Sequence, residues 1–154
     1  FAHDLAGGRV QHRALVSYLD QRDIVAFPGA APLTGAGGFD QDNFGAIPRW
    51  RGSYNLSWRG NRWSTGYSLQ WIGALDESGG VVAPGTVNAI DDQLYHDVWA
   101  RVQLGKRLSL AAGIDNLTDE QPPFFGNADE ANTDVSTYRL LGRGAWLRVN
   151  LGSS

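Results

Sequence analysis

Few residues in this chain have the type and spacing that chemistry requires. His3, His12 and His96 stand alone in sequence. His96 beside Asp97 resembles a relay on paper, but adjacent residues of a strand face opposite sides, so the pair cannot act together. Asp115, Asn116, Asp119 and Glu120 form a polar cluster, for which turn formation and loop capping are the simpler roles. Asp40 and Asp42 lack the twelve-residue ligand spacing of a calcium loop. The run Gly35-Ala36-Gly37-Gly38 lacks the Lys-Ser/Thr of a phosphate loop. There is no G-x-S-x-G, H-E-x-x-H or Walker lysine motif, and no cysteine for a thiol nucleophile or a thiolate metal site. The reading is a protein that is not an enzyme and carries no cofactor or metal.

Aromatic residues at regular spacing remain. Over Arg49 to Gly73, Trp50, Gly52, Tyr54, Leu56 and Trp58 alternate with Arg51, Ser53, Asn55, Ser57 and Arg59. Beyond Gly60-Asn61, Trp63, Thr65, Tyr67, Leu69 and Trp71 alternate with Ser64, Gly66, Ser68 and Gln70. Period-two patterning marks half-buried strands, and a Gly/Asn joint marks a hairpin. With Gly60-Asn61 as the loop, Trp58 faces Trp63, Tyr54 faces Tyr67 and Trp50 faces Trp71. Trp50, Trp58, Trp63 and Trp71 then form two rows about 20 Å apart along the normal of a tilted strand pair. Such rows suit the girdles that flank the apolar band of a transmembrane barrel. They also suit a sugar-stacking platform on a soluble sheet, and the hairpin alone does not separate the two.

The elements that position these residues follow the same rhythm. A first strand is expected over Gly8 to Ile24, followed by a loop from Ala26 to Pro48 without periodicity. Asp76 to Asp92 and Leu117 to Thr137 read as two further long loops, the last acidic and broken by Pro122-Pro123. Gln93 to Leu104 and Leu108 to Asn116 are strands. A three-residue joint, Gly105 to Arg107, pairs Leu104 with Leu108, Val102 with Leu110, Ala100 with Ala112 and Val98 with Ile114, since a one-residue slip would invert every side chain. The final strand is expected from about Tyr138 to Leu151. Nothing reads as a helix.

Joints alternate short and long, so short turns gather at one end and long loops at the other, as in outer-membrane barrels. The second strand face, with Arg51, Asn55, Gln70, Arg101, Gln103, Arg148 and Asn150, is too polar for a dry sandwich core but suits a wet lumen, which Arg51, Gln70, Trp99, Arg101 and Arg148 are expected to face. The four hairpin tryptophans become lipid anchors, and His96 a strand residue near the outer interface. The 154 residues carry 20 Gly, 11% aromatics, only 19% charged residues and a net charge of -3, with no basic excess of the kind nucleic-acid binding needs. The chain opens at Phe1 in mid-pattern without Met, which gives the expectation of a piece of a longer protein.

Gly113 to Phe124 (GIDNLTDEQPPF) resembles the G-V-x-N-L-F-D-x-x-P-P-F segment near the end of TonB-dependent outer-membrane receptors. Asn132-Thr133-Asp134 through Tyr138, then Gly142-Arg143, resemble that family's last loop and closing strand. Ala46 to Arg51 and Trp71-Ile72-Gly73 are similar to its preceding strands. Asp115, Asn116, Leu117, Asp119, Pro122, Pro123, Gly142 and Arg143 carry the likeness, which covers about Ala46 to Leu151. It implies an all-β, antiparallel up-and-down meander of about six strands, the C-terminal part of a 22-stranded transmembrane barrel of a Gram-negative outer membrane. It further implies a plug domain and the remaining strands as partners, the lipid bilayer around the wall, and energising by the TonB complex through an N-terminal part not in this sequence. The implied ligand is small and scarce: an iron-siderophore, cobalamin or an oligosaccharide. Ser153 stands about where the family places a C-terminal aromatic, which argues against independent insertion. The competing readings are a soluble carbohydrate-binding module using Trp50, Trp58, Trp63 and Trp71, and a small porin-like oligomer.

Overall fold

Alternating polar and apolar residues cannot bury both sides of a strand, and here they build one wide, single-layered sheet. A computed structural model describes residues 1–25, 27–40, 45–77, 89–124 and 131–152. Its strands are β1 (Ala2–Leu5), β2 (Gly8–Tyr18), β3 (Asp23–Ile24), β4 (Leu33–Thr34), β5 (Gly38–Asp40), β6 (Gly45–Ile47), β7 (Trp50–Arg59), β8 (Trp63–Ile72), β9 (Leu75–Glu77), β10 (Ala89–Ile90), β11 (Gln93–Gln103), β12 (Leu108–Asp115) and β13 (Gly144–Leu151). The main sheet runs β1-β2-β7-β8-β11-β12-β13, every pair antiparallel between sequence neighbours of that sheet. A four-stranded sheet, β10-β9-β5-β6, and the β3-β4 hairpin stand at one end of it. There is no helix among the described residues.

The meander, the all-β class and the polar/apolar alternation agree with the sequence reading. So does the joint between β11 and β12: the Leu104 N–H donates to the Leu108 carbonyl at 2.9 Å, and Val102, Ala100 and Val98 stand opposite Leu110, Ala112 and Ile114. The opening hairpin is corrected. Its two-residue loop is Asn61-Arg62, closed by the Gly60 N–H on the Trp63 carbonyl at 2.9 Å, not Gly60-Asn61. Trp58 therefore faces Thr65, Tyr54 faces Leu69 and Gly52 faces Trp71. The cause is Trp58, whose indole lies over Gly60 and Gly8, where an added Cβ would fall inside it. Gly60 is there to let the indole down, not to make the turn. The slip is two residues, so parity and both faces survive it.

Other boundaries move as well. The first long strand ends at Tyr18, because Asp23-Ile24 turns away to pair with Leu33-Thr34. The supposedly structureless Ala26–Pro48 and Asp76–Asp92 segments contribute β4, β5, β6, β10 and most of β9. β13 begins at Gly144 instead of Tyr138, since Tyr138 is drawn into a buried cluster. β1 adds a seventh strand to the main sheet. Asp42, Asp129, Glu130 and Ser153 lie outside the described residues.

The buried cluster comprises Phe39, Ala46, Ile72, Leu75, Ile90, Tyr95 and Tyr138. It sits at the long-loop end, between the four-stranded sheet and the polar face of the main sheet. No second layer covers the apolar face of the main sheet among the described residues, and Trp63, Leu147, Val149 and Leu151 on it are exposed.

Candidate functional site

The register fixes two faces across the seven strands. One carries Val16, Tyr18, Trp50, Trp58, Trp63, Trp71, Val98, Val102, Leu110, Ile114, Leu147 and Val149. On it, Trp50 and Trp71 stack at 6.5 Å beside Tyr18 at the long-loop end. Trp58 and Trp63 lie toward the short-turn end, and the Trp58 Nε1 donates to the Leu5 carbonyl at 3.0 Å. The indoles thus form two separated groups and not one flat platform. Between them runs a belt of Tyr54 and Tyr67, 6.5 Å apart, flanked by His12 and His96. The His12 Nδ1 meets the Tyr54 hydroxyl at 2.7 Å and the His96 Nδ1 the Tyr67 hydroxyl at 2.8 Å. Each Nδ1 and phenol pair satisfies one polar atom of each ring on this apolar surface, while the His12 Nε2 is buried without a partner among the described residues. His96 and Asp97 face opposite sides, as strand geometry requires. No group of three or more His, Cys, Asp or Glu among the described residues is arranged to hold a metal.

The opposite face is polar and curls around a hollow of about 970 Å³ at the short-turn end. Trp99, Arg101 and Arg148 line this hollow together with Arg59, Arg62 and Trp146. Arg51 and Gln70 lie on the same face toward the long loops. There Arg51 Nη2 donates to the Thr137 hydroxyl at 3.3 Å, and a second recess of about 350 Å³ is lined by Arg51 with Ser17, Arg22 and Arg49.

The long-loop end of the polar face is closed by a clamp that strand patterning does not reveal. Arg139 makes a two-pronged pair with Asp97, at 2.8 and 3.0 Å, and a third bond to the Gln70 Oε1 at 3.1 Å. Its guanidinium lies 5.0 Å from the centre of the fully buried Tyr95 ring. The segment resembling the receptor motif forms the other half. Asn116 and Asp119 adopt left-handed backbone angles (φ 52° and 58°), which Asn and Asp tolerate better than other side chains. The buried Asn116 side chain accepts from the Glu120 N–H at 2.9 Å and donates to the Glu120 carbonyl at 2.8 Å, while its own N–H donates to Asp97 at 2.9 Å. Asp119 accepts from the Arg143 N–H at 2.7 Å, with Gly142 pressed against its carboxylate. Asp115 accepts from the Trp146 Nε1 at 3.3 Å; Pro122 and Pro123 are half-buried and Leu117 is exposed. The motif residues therefore come together, and what they do here is fasten the end of β12 to the approach to β13.

Asp134 anchors the last loop to β6. Burial works to raise its carboxyl, but the Ser136 hydroxyl and the Ala46 and Ser136 N–H groups outweigh that and hold it below the usual carboxylate range. Burial, with the Asp134 charge nearby, pushes the Tyr138 hydroxyl up. Asp97, Asp134 and Arg139 were missed as site residues. Asp97 and Arg139 are 42 residues apart and share no motif, so only the folded chain pairs them.

An antiparallel, alternating sheet with one bare apolar face and one hollowed polar face is the architecture of a barrel wall. Among solved structures the chain is similar to a mutant form of the ferric enterobactin receptor of Pseudomonas aeruginosa, with a TM-score of 0.57 and 19% identity. The match covers 97% of this chain and 21% of that one, so the chain spans about a fifth of the receptor's length. At this identity the likeness shows the fold. No family model and no curated protein matches the chain.

Proposed function

We propose that the chain forms part of the wall of an outer-membrane, TonB-dependent receptor that takes up a scarce small ligand, and that it is not an enzyme. One observation carries the reading: among the described residues, no protein layer lies over an apolar face spanning seven strands. A contiguous apolar surface of this extent marks a membrane or partner contact in any protein. Lipid is favoured because β2, β7, β8 and β11 are 10 or 11 residues long. At a rise of about 3.3 Å and a tilt near 40°, they reach about 25–28 Å along the barrel axis. That is the height of a transmembrane barrel's apolar band. Tyr18, Trp50 and Trp71 are then the outer girdle and Trp58 and Trp63 the inner one. Arg51, Gln70, Trp99, Arg101 and Arg148 face the lumen, where a plug and the ligand path lie. A siderophore is the ligand class the similar receptor favours.

The test is depth-resolved quenching in vesicles containing brominated lipids, using variants that keep one indole each. Trp50, Trp63 and Trp71 are expected to lose most of their emission. Trp99 and Trp146 are expected to keep theirs. Equal quenching of both sets, or none of the first in vesicles that shield the strands from protease, refutes the membrane wall.

A further inference from the structure

The polar face is ordered in rows across the sheet, and two adjacent rows have different chemistry. The first runs Asp4, Arg9, Arg59, Ser64, Arg101, Ala111, Arg148 across the seven strands, each residue paired in register with the next. Arg9 and Arg59 stand directly opposite, an arrangement that destabilises a sheet unless something neutralises it. Beyond them, arginine alternates with a small residue. The second row, two residues further along each strand, runs Ser57, Gly66, Trp99, Gly113, Trp146. Here each indole lies over the neighbouring glycine, so closely that a Cβ would collide with it. Arg59, Arg101, Ala111 and Arg148 of the first row and Trp99 and Trp146 of the second line the same hollow of about 970 Å³.

None of Arg59, Arg62, Arg101 and Arg148 forms an ion pair among the described residues. Arg101 has only a long contact to Gln103, at 3.5 Å, and Arg148 leans on the Trp146 ring at 5.6 Å. Arg101 and Arg148 stand on either side of Ala111, two strand spacings or about 10 Å apart. Two long side chains at that separation can converge on a group placed over the methyl between them. A guanidinium fork matches the two oxygens of a carboxylate, and its flat face stacks on aromatic rings. The clustered, unneutralised charge asks for an anion, and the indole row beside it asks for a flat body.

We propose that this hollow is a binding site for aromatic carboxylates, held between Arg101 and Arg148 over Ala111 with the ring against Trp146 and Trp99. The site is built from the polar face alone, so it stands whether or not the other face meets lipid.

The experiment titrates the full chain, refolded in detergent micelles, with benzene-1,3,5-tricarboxylate, and follows tryptophan emission and calorimetric heat. Citrate, equally charged but without a ring, is the second probe. Saturable binding of the aromatic probe, at least about 10-fold tighter than citrate and weakening with salt, is expected. Arg101→Gln with Arg148→Gln should lower affinity at least about 10-fold, and the double Lys variant, which keeps charge but not the fork, by less. Both arginines are exposed, and an unchanged far-ultraviolet dichroism spectrum establishes that each variant folds. The proposal is overturned by no binding to the folded wild type, by full affinity in the Gln variant, or by citrate binding as well as the aromatic probe. None of these bears on lipid quenching on the other face, so the two readings fail separately.

Discussion

Replacing Arg139 by Leu should loosen the long-loop end and leave the rest of the sheet in place. Two unit charges at about 4 Å attract by roughly 4 kcal/mol at an effective dielectric of 20, before desolvation and side-chain ordering are subtracted. Truncating one partner of a fully buried pair costs about 3–5 kcal/mol, and an exposed pair is worth at most about 1 kcal/mol. Arg139 and Asp97 have side chains 33% and 21% exposed, between those limits, so about 2 kcal/mol is expected. The loss of Gln70 and of the Tyr95 ring as partners acts in the same direction. Since 1.4 kcal/mol is a factor of ten, amides that exchange by local opening should exchange about 30-fold faster. The reporters are the Tyr138 N–H, bonded to the Asp134 carbonyl at 3.0 Å, and the Arg143 N–H on Asp119. The Gly60 N–H, at the opposite end of the strands, should hold its rate within about twofold, as expected for independent sites. Arg139→Lys keeps the charge but not the fork and should fall between. Unchanged exchange at Tyr138 and Arg143, or equal acceleration at Gly60, would refute the idea of a local clamp.

Three further outcomes follow from the same end of the molecule. Asn116→Ala removes the side chain that satisfies both Glu120 backbone groups and places Ala at a left-handed angle; about 3 kcal/mol should be lost, read as a lower denaturant midpoint at unchanged slope. Leu75→Ala, at a site 1% exposed, should cost about 2–5 kcal/mol and free the four-stranded sheet, seen as protease cutting near β9 before the main sheet yields. The Asp134 carboxyl is depressed in the fold, so its contribution is present above the ordinary carboxylate value and is lost as pH falls through the folded one. Exchange at the Ala46 amide, corrected for intrinsic rates, should rise below pH about 4 in the wild type and show no such step in Asp134→Asn.

What the sequence made legible was whatever period two controls. Trp50 to Trp58 and Val98 to Leu104 announce their faces residue by residue, and the β11–β12 register follows from matching those faces alone. The Asn61-Arg62 turn was misread because a glycine beside an asparagine is the usual mark of a hairpin loop, whereas Gly60 is required under an indole that comes from Trp58. Face parity tolerates a slip of two and register does not, so the face assignment held while the facing pairs changed. The long-loop core was illegible for a different reason. Phe39, Ile72, Leu75, Ile90 and Tyr138 come from separate segments with no common period, and only the β5–β9 parallel contact and the inward turn of the last loop bring them together.

The same distinction explains why the motif residues and the arginine row differ in meaning. Asn116, Asp119, Gly142 and Arg143 can be picked out in sequence because left-handed turns and close backbone approach restrict which residues fit. Such residues consequently report on how the wall is fastened, and they say little about what passes along it. Arg59, Arg101 and Arg148 belong to no motif and gain their relation only when β7, β8, β11, β12 and β13 align. Exposed guanidiniums lined up across a sheet add nothing to its stability, and of the opposed pair Arg9 and Arg59 only Arg9 has a carboxylate, Asp4, across from it. A feature that fold stability does not require, and that the clamp at the other end does not touch, is where a ligand preference of this face would be written. Replacing Arg101 and Arg148 should therefore leave the exchange rates of the clamp unchanged while weakening anion binding at least about 10-fold, and removing the clamp should do the reverse.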